Sequence, residues 1–218
     1  MEIKVLRNVL EANDAIAAEN RRLLKERGIR TINLIASPGA GKTTLLELTL
    51  EALKGEFRMA VVEGDIAGSA DAERIGRHEV PVVQINTDGG CHLNASMVRL
   101  ALDSLPLDGL QLLFIENVGN LVCPAGFDLG EDSKVVILSV AEGDDKPEKY
   151  PLIFERSSAM VLNKIDLLGM VDFNLEKAKA RARTTHPGLP VFELSARTGE
   201  GLEAWLDWLR AQVKLICP

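Results

Sequence analysis

Hydrophobic positions follow two different patterns along this chain. Between residues 3 and 27, apolar side chains recur every three or four residues among charged ones, which predicts an amphipathic helix that stops at Gly28. Beyond it come seven short, mainly apolar runs without alternation, at 31–36, 58–63, 81–85, 110–116, 134–140, 159–163 and 190–194. Helical patterns near 43–54, 93–104, 175–184 and 201–213 separate several of these runs. The segment 141–157, rich in Asp, Lys and Pro, predicts a mobile loop with a short helix.

Strands that lack a polar alternation are typical of a sheet covered by helices on both faces. Their alternation with helices predicts an α/β fold: a three-layer, doubly wound, mostly parallel sheet of about seven strands, with the N-terminal helix packed on it. At 218 residues the chain suits a single domain, 1–218, in which 1–28 forms the N-terminal helix. In this architecture the functional loops follow the carboxyl ends of the strands.

The composition limits the classes of partner. Hydrophobic residues make up 46% of the chain but aromatic residues only 4%, so the core must be mainly aliphatic. A net charge of −7 argues against binding to nucleic acid or to an anionic membrane, since both require a basic face. No apolar run approaches the roughly 20 residues that span a bilayer, and the first residues do not form a secretory signal. Three cysteines do not make a disulfide framework, so we expect a reducing, cytoplasmic location.

A glycine-rich loop follows the first predicted strand. Residues 37–44 read SPGAGKTT between a strand and a helix, which is the context of a Walker A phosphate-binding loop (P-loop). Its backbone N–H groups can approach phosphates, Lys42 would reach the β- and γ-phosphates, and the Thr43 hydroxyl would bind Mg²⁺. Ala36 stands where the pattern has its first glycine, at the strand end, where a methyl group is tolerable. The residues expected to hold the nucleotide here are Pro38, Gly39, Ala40, Gly41, Lys42, Thr43 and Thr44.

The ends of the sixth and seventh strands carry the motifs NKID at 163–166 and SAR at 195–197. The carboxylate of Asp166 can accept from both N1–H and the exocyclic amine of guanine, whereas adenine would leave it unpaired, a discrimination of about 10⁴-fold or more. The stem of Lys164 suits the plane of the base, and a backbone N–H of the SAR motif suits guanine O6. Together behind a P-loop, these motifs predict GTP or GDP as the ligand, bound by Asn163, Lys164, Asp166, Ser195, Ala196 and Arg197.

Two acidic residues at strand ends complete the predicted phosphate site. Asp65 ends the sequence EGD and Glu116 begins the sequence ENVG. Glu116 would hold Mg²⁺ through water, the Gly119 amide would contact the γ-phosphate, and Asp65 would orient the attacking water or coordinate Mg²⁺. With Lys42, these two acids are the predicted catalytic residues. Ras-like GTPases have Asp in place of Glu116 and a Gln that is missing here, so we expect slow hydrolysis; the alternative is that both acids are merely solvated.

Cysteine and histidine residues follow two further strands. Cys91 and His92 come after the third strand and Cys123 after ENVG, so we expect both segments at the carboxyl ends of neighbouring strands, near the γ-phosphate. Thiolate and imidazole ligands suit Ni²⁺ or Zn²⁺ better than Mg²⁺. Three ligands do not close a tetrahedral site, and Cys91 and His92 would point to opposite sides of an extended chain, so we expect the ion to be shared across a symmetric dimer. The alternative is that Cys91 and Cys123 are small buried core residues. Cys217 is expected to have no role.

The whole pattern resembles the HypB family, GTPases that insert nickel during [NiFe]-hydrogenase maturation. The resemblance is carried by SPGAGKTTLL, VVEGDIAGSADAERI, GGCHLNASMV, FIENVGNLVCPAGFDLG, EGDDKPEKYP, VLNKIDL and ELSARTGEGLEAW. It implies a P-loop GTPase of the SIMIBI class (signal-recognition-like and MinD-like), with slow hydrolysis and GTP-favoured homodimerisation. It also implies nickel or zinc at Cys91, His92 and Cys123 near the dimer interface, and a role for Lys146 or Lys149 at the guanine of the opposite protomer. The implied protein partners are a nickel-binding accessory protein and the hydrogenase large-subunit precursor.

Two departures from the family narrow this expectation. Many relatives carry an N-terminal cysteine-rich metal motif and some a histidine-rich tract, whereas this sequence begins MEIKVLRNVL and has three histidines, so nickel storage is not expected. Rival interpretations are a urease-assembly GTPase, whose Cys-Pro-His motif is absent, and a small-molecule kinase, against which NKID argues. A third is a regulatory GTPase whose thiols are only structural.

Overall fold

Seven parallel strands form one sheet in the residues that the computed structural model describes, 8–66 and 68–215. They are β1 (Arg30–Ala36), β2 (Met59–Asp65), β3 (Val82–Asn86), β4 (Leu112–Glu116), β5 (Ser133–Ser139), β6 (Ala159–Asn163) and β7 (Val191–Glu193). Their order across the sheet is β3-β2-β4-β1-β5-β6-β7, and every neighbouring pair is parallel. All carboxyl ends therefore meet at one edge, and the direction of winding changes beside β1, where sheets of this kind bind ligands.

Helices cover both faces of the sheet. In the described part of the chain they are α1 (Asn8–Glu26), α2 (Lys42–Leu53), α3 (Ala70–Gly76), α4 (Ala95–Ser104), α5 (Lys146–Lys149), α6 (Pro151–Arg156), α7 (Leu175–Thr185) and α8 (Leu202–Lys214). Leu50 of α2 and Leu209 of α8 are buried against one face, while Leu24 of α1, Leu102 of α4 and Phe154 of α6 are buried against the other. None of the described helices has the length and apolar character needed to cross a bilayer.

The predicted fold class is confirmed, and the strand bounds agree with the predicted ones within two residues. The N-terminal helix is present from Asn8, while residues 3–7 of the predicted helix lie outside the described residues. It ends where the sequence indicates, because Gly28 has a φ of 68° and the N–H of Ile29 donates to Leu24 O at 2.9 Å. The assignment of 1–218 to one domain stays a prediction.

Two segments differ from the expectation. The segment 141–157 contains two helices, α5 and α6, and Ile153 and Phe154 of α6 are fully buried, so it contributes to the core rather than forming a loop with one short helix. Pro151 begins α6, where its missing N–H has no helical partner to lose. Helix α3 was not predicted because Ile75 is the one buried residue among its seven, which leaves no periodic signal.

Two asparagines of α1 are buried against the start of α4. The N–H of Ala95 donates to Asn13 Oδ1 at 2.9 Å, and Asn20 Nδ2 donates to the carbonyls of Ala95 at 2.9 Å and Leu129 at 3.0 Å. These bonds satisfy backbone groups that would otherwise be buried without partners. Helix α1 therefore fixes the position of α4, which begins directly after the predicted metal-binding segment.

Aromatic side chains cluster on the opposite face. Trp205 and Trp208 of α8 stack with ring centroids 5.3 Å apart, and Phe192 of β7 lies 5.9 Å from each. The indole N–H of Trp205 donates to Thr49 Oγ1 on α2 at 3.0 Å. This bond connects α8 to the helix that begins at the phosphate loop.

Candidate nucleotide and metal site

The glycine-rich loop forms the turn between β1 and α2. Gly39 and Gly41 have φ angles of 75° and 94°, which favour glycine, and a methyl group on Gly41 would lie 2.5 Å from Asn163 Nδ2. A cavity of about 440 Å³ opens beside this turn, lined by its glycines together with Lys42, Thr43 and Thr44. The backbone is thus shaped for close approach of a phosphate chain to the N-terminus of α2.

Asn163 joins the phosphate loop to the two motifs predicted to bind the base. Its Nδ2 donates to Ala40 O at 2.8 Å, and its Oδ1 accepts from Lys164 N at 2.7 Å and Ala196 N at 3.0 Å. Lys164 adopts a φ of 64°, and its ammonium group donates to Gly39 O at 2.6 Å. Asn163 therefore holds three loops together around a second cavity of about 500 Å³, which all the predicted guanine-binding residues except the buried Ser195 line.

Asp166 is oriented by the following strand end. Ser195 Oγ donates to Asp166 Oδ1 at 2.6 Å, and Arg197 Nη1 lies 4.0 Å from Asp166 Oδ2. The serine of the SAR motif thus positions the carboxylate. The N–H of Ala196 already donates to Asn163, and that of Arg197 donates to Ser195 Oγ at 3.3 Å. A guanine O6 would have to share or replace one of these acceptors.

The predicted Mg²⁺ ligands meet at the floor of the phosphate cavity. Thr43 Oγ1 donates to Glu116 Oε1 at 2.7 Å, while Glu116 Oε2 is buried without a hydrogen-bond partner. Asp65 lines the same cavity, and its two oxygens accept from Ile66 N at 2.7 Å and Gly68 N at 2.9 Å. An all-oxygen set with an unpartnered buried carboxylate oxygen fits Mg²⁺, which would supply positive charge for the phosphates when bound.

Glu63 is a buried acid of this cavity that the sequence interpretation did not assign. It pairs in register with Glu116 across β2 and β4, it is 2% exposed, and its Oε2 has no hydrogen-bond partner. Burial, and then repulsion from Glu116 and Asp65, raise the pKa of Glu63 to about 8. Burial also raises the pKa of Glu116, against the attraction of Lys42. The sequence does contain a signal for this residue, because Glu63 is an acid within a mainly apolar strand that is buried on both faces.

Helix α3 brings a cation to the same cavity. Arg74 donates to Glu47 Oε2 at 2.5 Å, to Asp71 Oδ1 at 3.0 Å and to Thr44 Oγ1 at 3.2 Å. Asp71 and Arg74 both line the cavity. This contact could not be predicted from the sequence, because α3 itself was not predicted.

The three predicted soft ligands lie together in one chain. One ligand atom from each of Cys91, His92 and Cys123 lies within 4.8 Å of the others, and Cys91 Sγ is 3.4 Å from His92 Nδ1. The expectation that Cys91 and His92 point apart is wrong, because the backbone bends at these two residues and is not extended there. Sharing across a dimer is therefore not needed to collect these three donors.

Two further expectations about this triad are corrected. The segments do not follow neighbouring strands, since β2 lies between β3 and β4. Cys91 is exposed and Cys123 is half-buried, so they are not the buried core residues that the alternative required. Cys217 lies outside the described residues.

The surroundings of the triad suit a soft cation. The ring of His92 packs on Phe127 with centroids 3.9 Å apart, and burial lowers the pKa of His92, which favours the neutral imidazole that binds metals. A hydrogen bond with Cys123, and then burial, raise the pKa of the Cys91 thiol. A bound Ni²⁺ or Zn²⁺ would displace these thiol protons, because the thiolate is the ligand form.

A family model described as "CobW/HypB/UreG, nucleotide-binding domain" matches residues 30–193. The hydrogenase maturation factor HypB of Escherichia coli strain K12 is 49% identical over 212 residues, which cover 97% of this chain and 72% of that protein. The chain belongs to the HypB family. This membership confirms the resemblance found in the sequence motifs and the GTP-binding P-loop fold that it implies.

Two solved HypB structures share the fold. Hydrogenase maturation factor HypB from Archaeoglobus fulgidus matches with a TM-score of 0.88 at 40% identity, over 94% of this chain and 100% of that one. HypB from Helicobacter pylori, solved in complex with nickel, matches with a TM-score of 0.88 at 38% identity, over 93% of this chain and 95% of that one. The HypB family thus includes a member that binds nickel.

Proposed function

We propose that this chain is a GTP-hydrolysing metallochaperone that delivers nickel during [NiFe]-hydrogenase maturation, with nucleotide binding controlling a Ni²⁺ or Zn²⁺ site. The observation that carries the proposal is the triad of Cys91, His92 and Cys123, gathered in one chain at the sheet edge that also holds the phosphate cavity. A plain regulatory GTPase has no need of two accessible thiols and an imidazole within 4.8 Å there.

In the nucleotide reaction, Lys42 binds the β- and γ-phosphates, and Thr43, Glu116 and Asp65 hold Mg²⁺ directly or through water. The Gly119 amide meets the γ-phosphate. Support for that role comes from its packing: a methyl group on Gly119 would lie 3.1 Å from Pro38 Cα of the phosphate loop. We expect slow hydrolysis, because Asp65 already accepts two backbone N–H groups and no Gln follows the ENVG sequence.

For metal binding, the triad supplies two sulfur ligands and one nitrogen ligand, a set that suits Ni²⁺ and Zn²⁺. A fourth position stays open for exchange with a partner, which a delivery protein requires and a closed structural site does not. The proposed partners are a nickel-binding accessory protein and the hydrogenase large-subunit precursor. Homodimerisation in the GTP state, with Lys146 or Lys149 near the opposite guanine, belongs to the same proposal.

A nickel titration tests the proposal. The Ni²⁺ dissociation constant is measured by competition with a chromophoric chelator, without nucleotide, with GDP and with a non-hydrolysable GTP analogue. We expect one ion per chain and a dissociation constant that depends on the nucleotide, and we expect Cys91→Ala and Cys123→Ala each to remove most of the binding. Cys217→Ala is the matched control and should bind as wild type does.

Two results would overturn the proposal. If the double variant Cys91→Ala/Cys123→Ala titrates like the wild type, the metal site lies elsewhere. If nickel affinity is the same in all three nucleotide states, the two sites are independent. Light scattering with the GTP analogue tests the dimer, and a monomer under every condition would remove that part.

A further inference from the structure

A single buried amide lies between the phosphate cavity and the metal triad. Asn117 follows Glu116 at the end of β4 and is 1% exposed. Its Oδ1 accepts from Leu93 N at 3.1 Å and from Val118 N at 3.0 Å. Leu93 directly follows His92, whereas Val118 lines the phosphate cavity. One oxygen atom therefore holds a backbone group from each site.

The orientation of this amide is fixed by hydrogen bonds to buried side chains next to it. Asn117 Nδ2 donates to Asn33 Oδ1 at 3.3 Å, and Asn33 Nδ2 donates to Glu131 Oε1 at 3.1 Å. Glu131 Oε2 accepts from Leu129 N at 2.7 Å. A flipped amide would place its NH₂ group against two backbone N–H donors, so Asn117 cannot turn without losing its bonds. This buried network makes the shared oxygen a rigid point of attachment.

The loops on both sides of Asn117 have little freedom to move separately. The side chain of Leu93 packs on Gly64 of β2, where a methyl group would lie 2.8 Å from Leu93 Cδ1. Thr87 N donates to Asp65 O at 2.9 Å, and Asn120 Nδ2 donates to Cys91 O at 3.3 Å. The segment that carries Cys91 and His92 therefore rests on the two strand ends, after β2 and β4, that line the phosphate cavity.

We infer that Asn117 is the positioning residue through which the nucleotide state sets the metal affinity of the triad; this inference rests on the proposed function. When the γ-phosphate binds or leaves, a shift of Val118 and Gly119 changes how the fixed oxygen of Asn117 is shared between Val118 N and Leu93 N, and with it the placement of His92. Coupling between two sites usually amounts to about 5- to 150-fold in affinity, a range that one or two such hydrogen bonds can supply.

The test compares ratios of nickel affinity. The Ni²⁺ dissociation constant is measured with GDP and with a non-hydrolysable GTP analogue for the wild type, Asn117→Ala and Asn117→Thr. A uniform loss of affinity, or of stability, cancels in the ratio of the two constants. We expect the ratio to fall to within about twofold of one in both variants, since neither a methyl group nor a hydroxyl on Cβ can bridge the two N–H groups. Asn117→Thr keeps more of the volume, so folding is retained if Asn117→Ala is unstable.

The matched control is Asn20→Ala. Asn20 is fully buried and its amide also makes two hydrogen bonds to the main chain, but neither bond goes to a residue that lines the phosphate cavity. Its variant should lose stability and keep the wild-type ratio. A wild-type ratio that survives in the Asn117 variants, or one that collapses equally in Asn20→Ala, overturns the inference while leaving the proposed function intact. A wild-type ratio of one overturns both.

Discussion

Glu63 allows the electrostatics of the phosphate cavity to be tested without any ligand. Its carboxyl group ionises near pH 4.5 when the chain is unfolded, whereas its pKa in the folded chain is about 8. Because the folded pKa is the higher one, the protonated Glu63 carboxyl favours the folded chain. This contribution to the free energy of unfolding is fully present below pH 4.5 and is lost as the pH rises through about 8. Each pH unit between the two values is worth about 1.36 kcal/mol, so the loss is at most about 5 kcal/mol. Solvent in the open cavity screens part of it, and we expect about 2–3 kcal/mol.

Glu63→Gln removes this titration while keeping the shape of the side chain. The variant and the wild type should be about equally stable near pH 4.5, and the variant should become more stable by about 2–3 kcal/mol, or roughly 4–12 °C in Tm, near pH 8.5. The assay is urea denaturation over this range with a chelator present and no nucleotide. Glu155→Gln, at an exposed acid of α6, is the control and should follow the wild type. A stability difference that does not change with pH would show that Glu63 is already ionised in the folded chain.

Three further substitutions test the geometry of the site. Asp166→Asn should weaken GTP binding by about 10- to 100-fold and allow xanthosine triphosphate to bind, measured by nucleotide competition; unchanged GTP affinity would reject the assignment of the base. Gly41→Ala places a methyl group 2.5 Å from Asn163 Nδ2 and should reduce the binding of a fluorescent GTP analogue at least about tenfold, and normal binding would contradict the tight packing. Gly201→Ala places a methyl group 2.0 Å from Glu193 O at a φ of 73° and should lower the free energy of unfolding by at least about 2 kcal/mol; an unchanged urea midpoint would show that the turn relaxes freely.

The strand pattern could be predicted because each strand is buried on both faces. β6 was predicted with its observed bounds, since Ala159–Asn163 is uniformly buried and flanked by polar residues. The shorter helices could not be predicted in the same way. α6 spans six residues, too few for a helical period to be read, and its burial depends on the sheet beneath it.

The phosphate and base motifs could be predicted because each is contiguous in sequence. Glu63 and Asn117 required knowledge of the fold. The environment of Glu63 depends on the register that pairs β2 with β4, and the role of Asn117 depends on a hydrogen bond to Leu93 across 24 residues. The triad was predicted as a group from the motifs, but its closure within one chain depends on the bend of the backbone at Cys91 and His92, a local geometry that composition does not encode.

The aromatic cluster on α8 gives the unmodified protein an intrinsic optical reporter. Both tryptophans of the chain, Trp205 and Trp208, lie on this one helix, so fluorescence excited selectively in tryptophan arises from a single region. Trp205 is also bonded to α2, whose first residue is Lys42. Nucleotide exchange and urea unfolding can therefore be followed by fluorescence without a dye, from a helix that carries none of the metal triad.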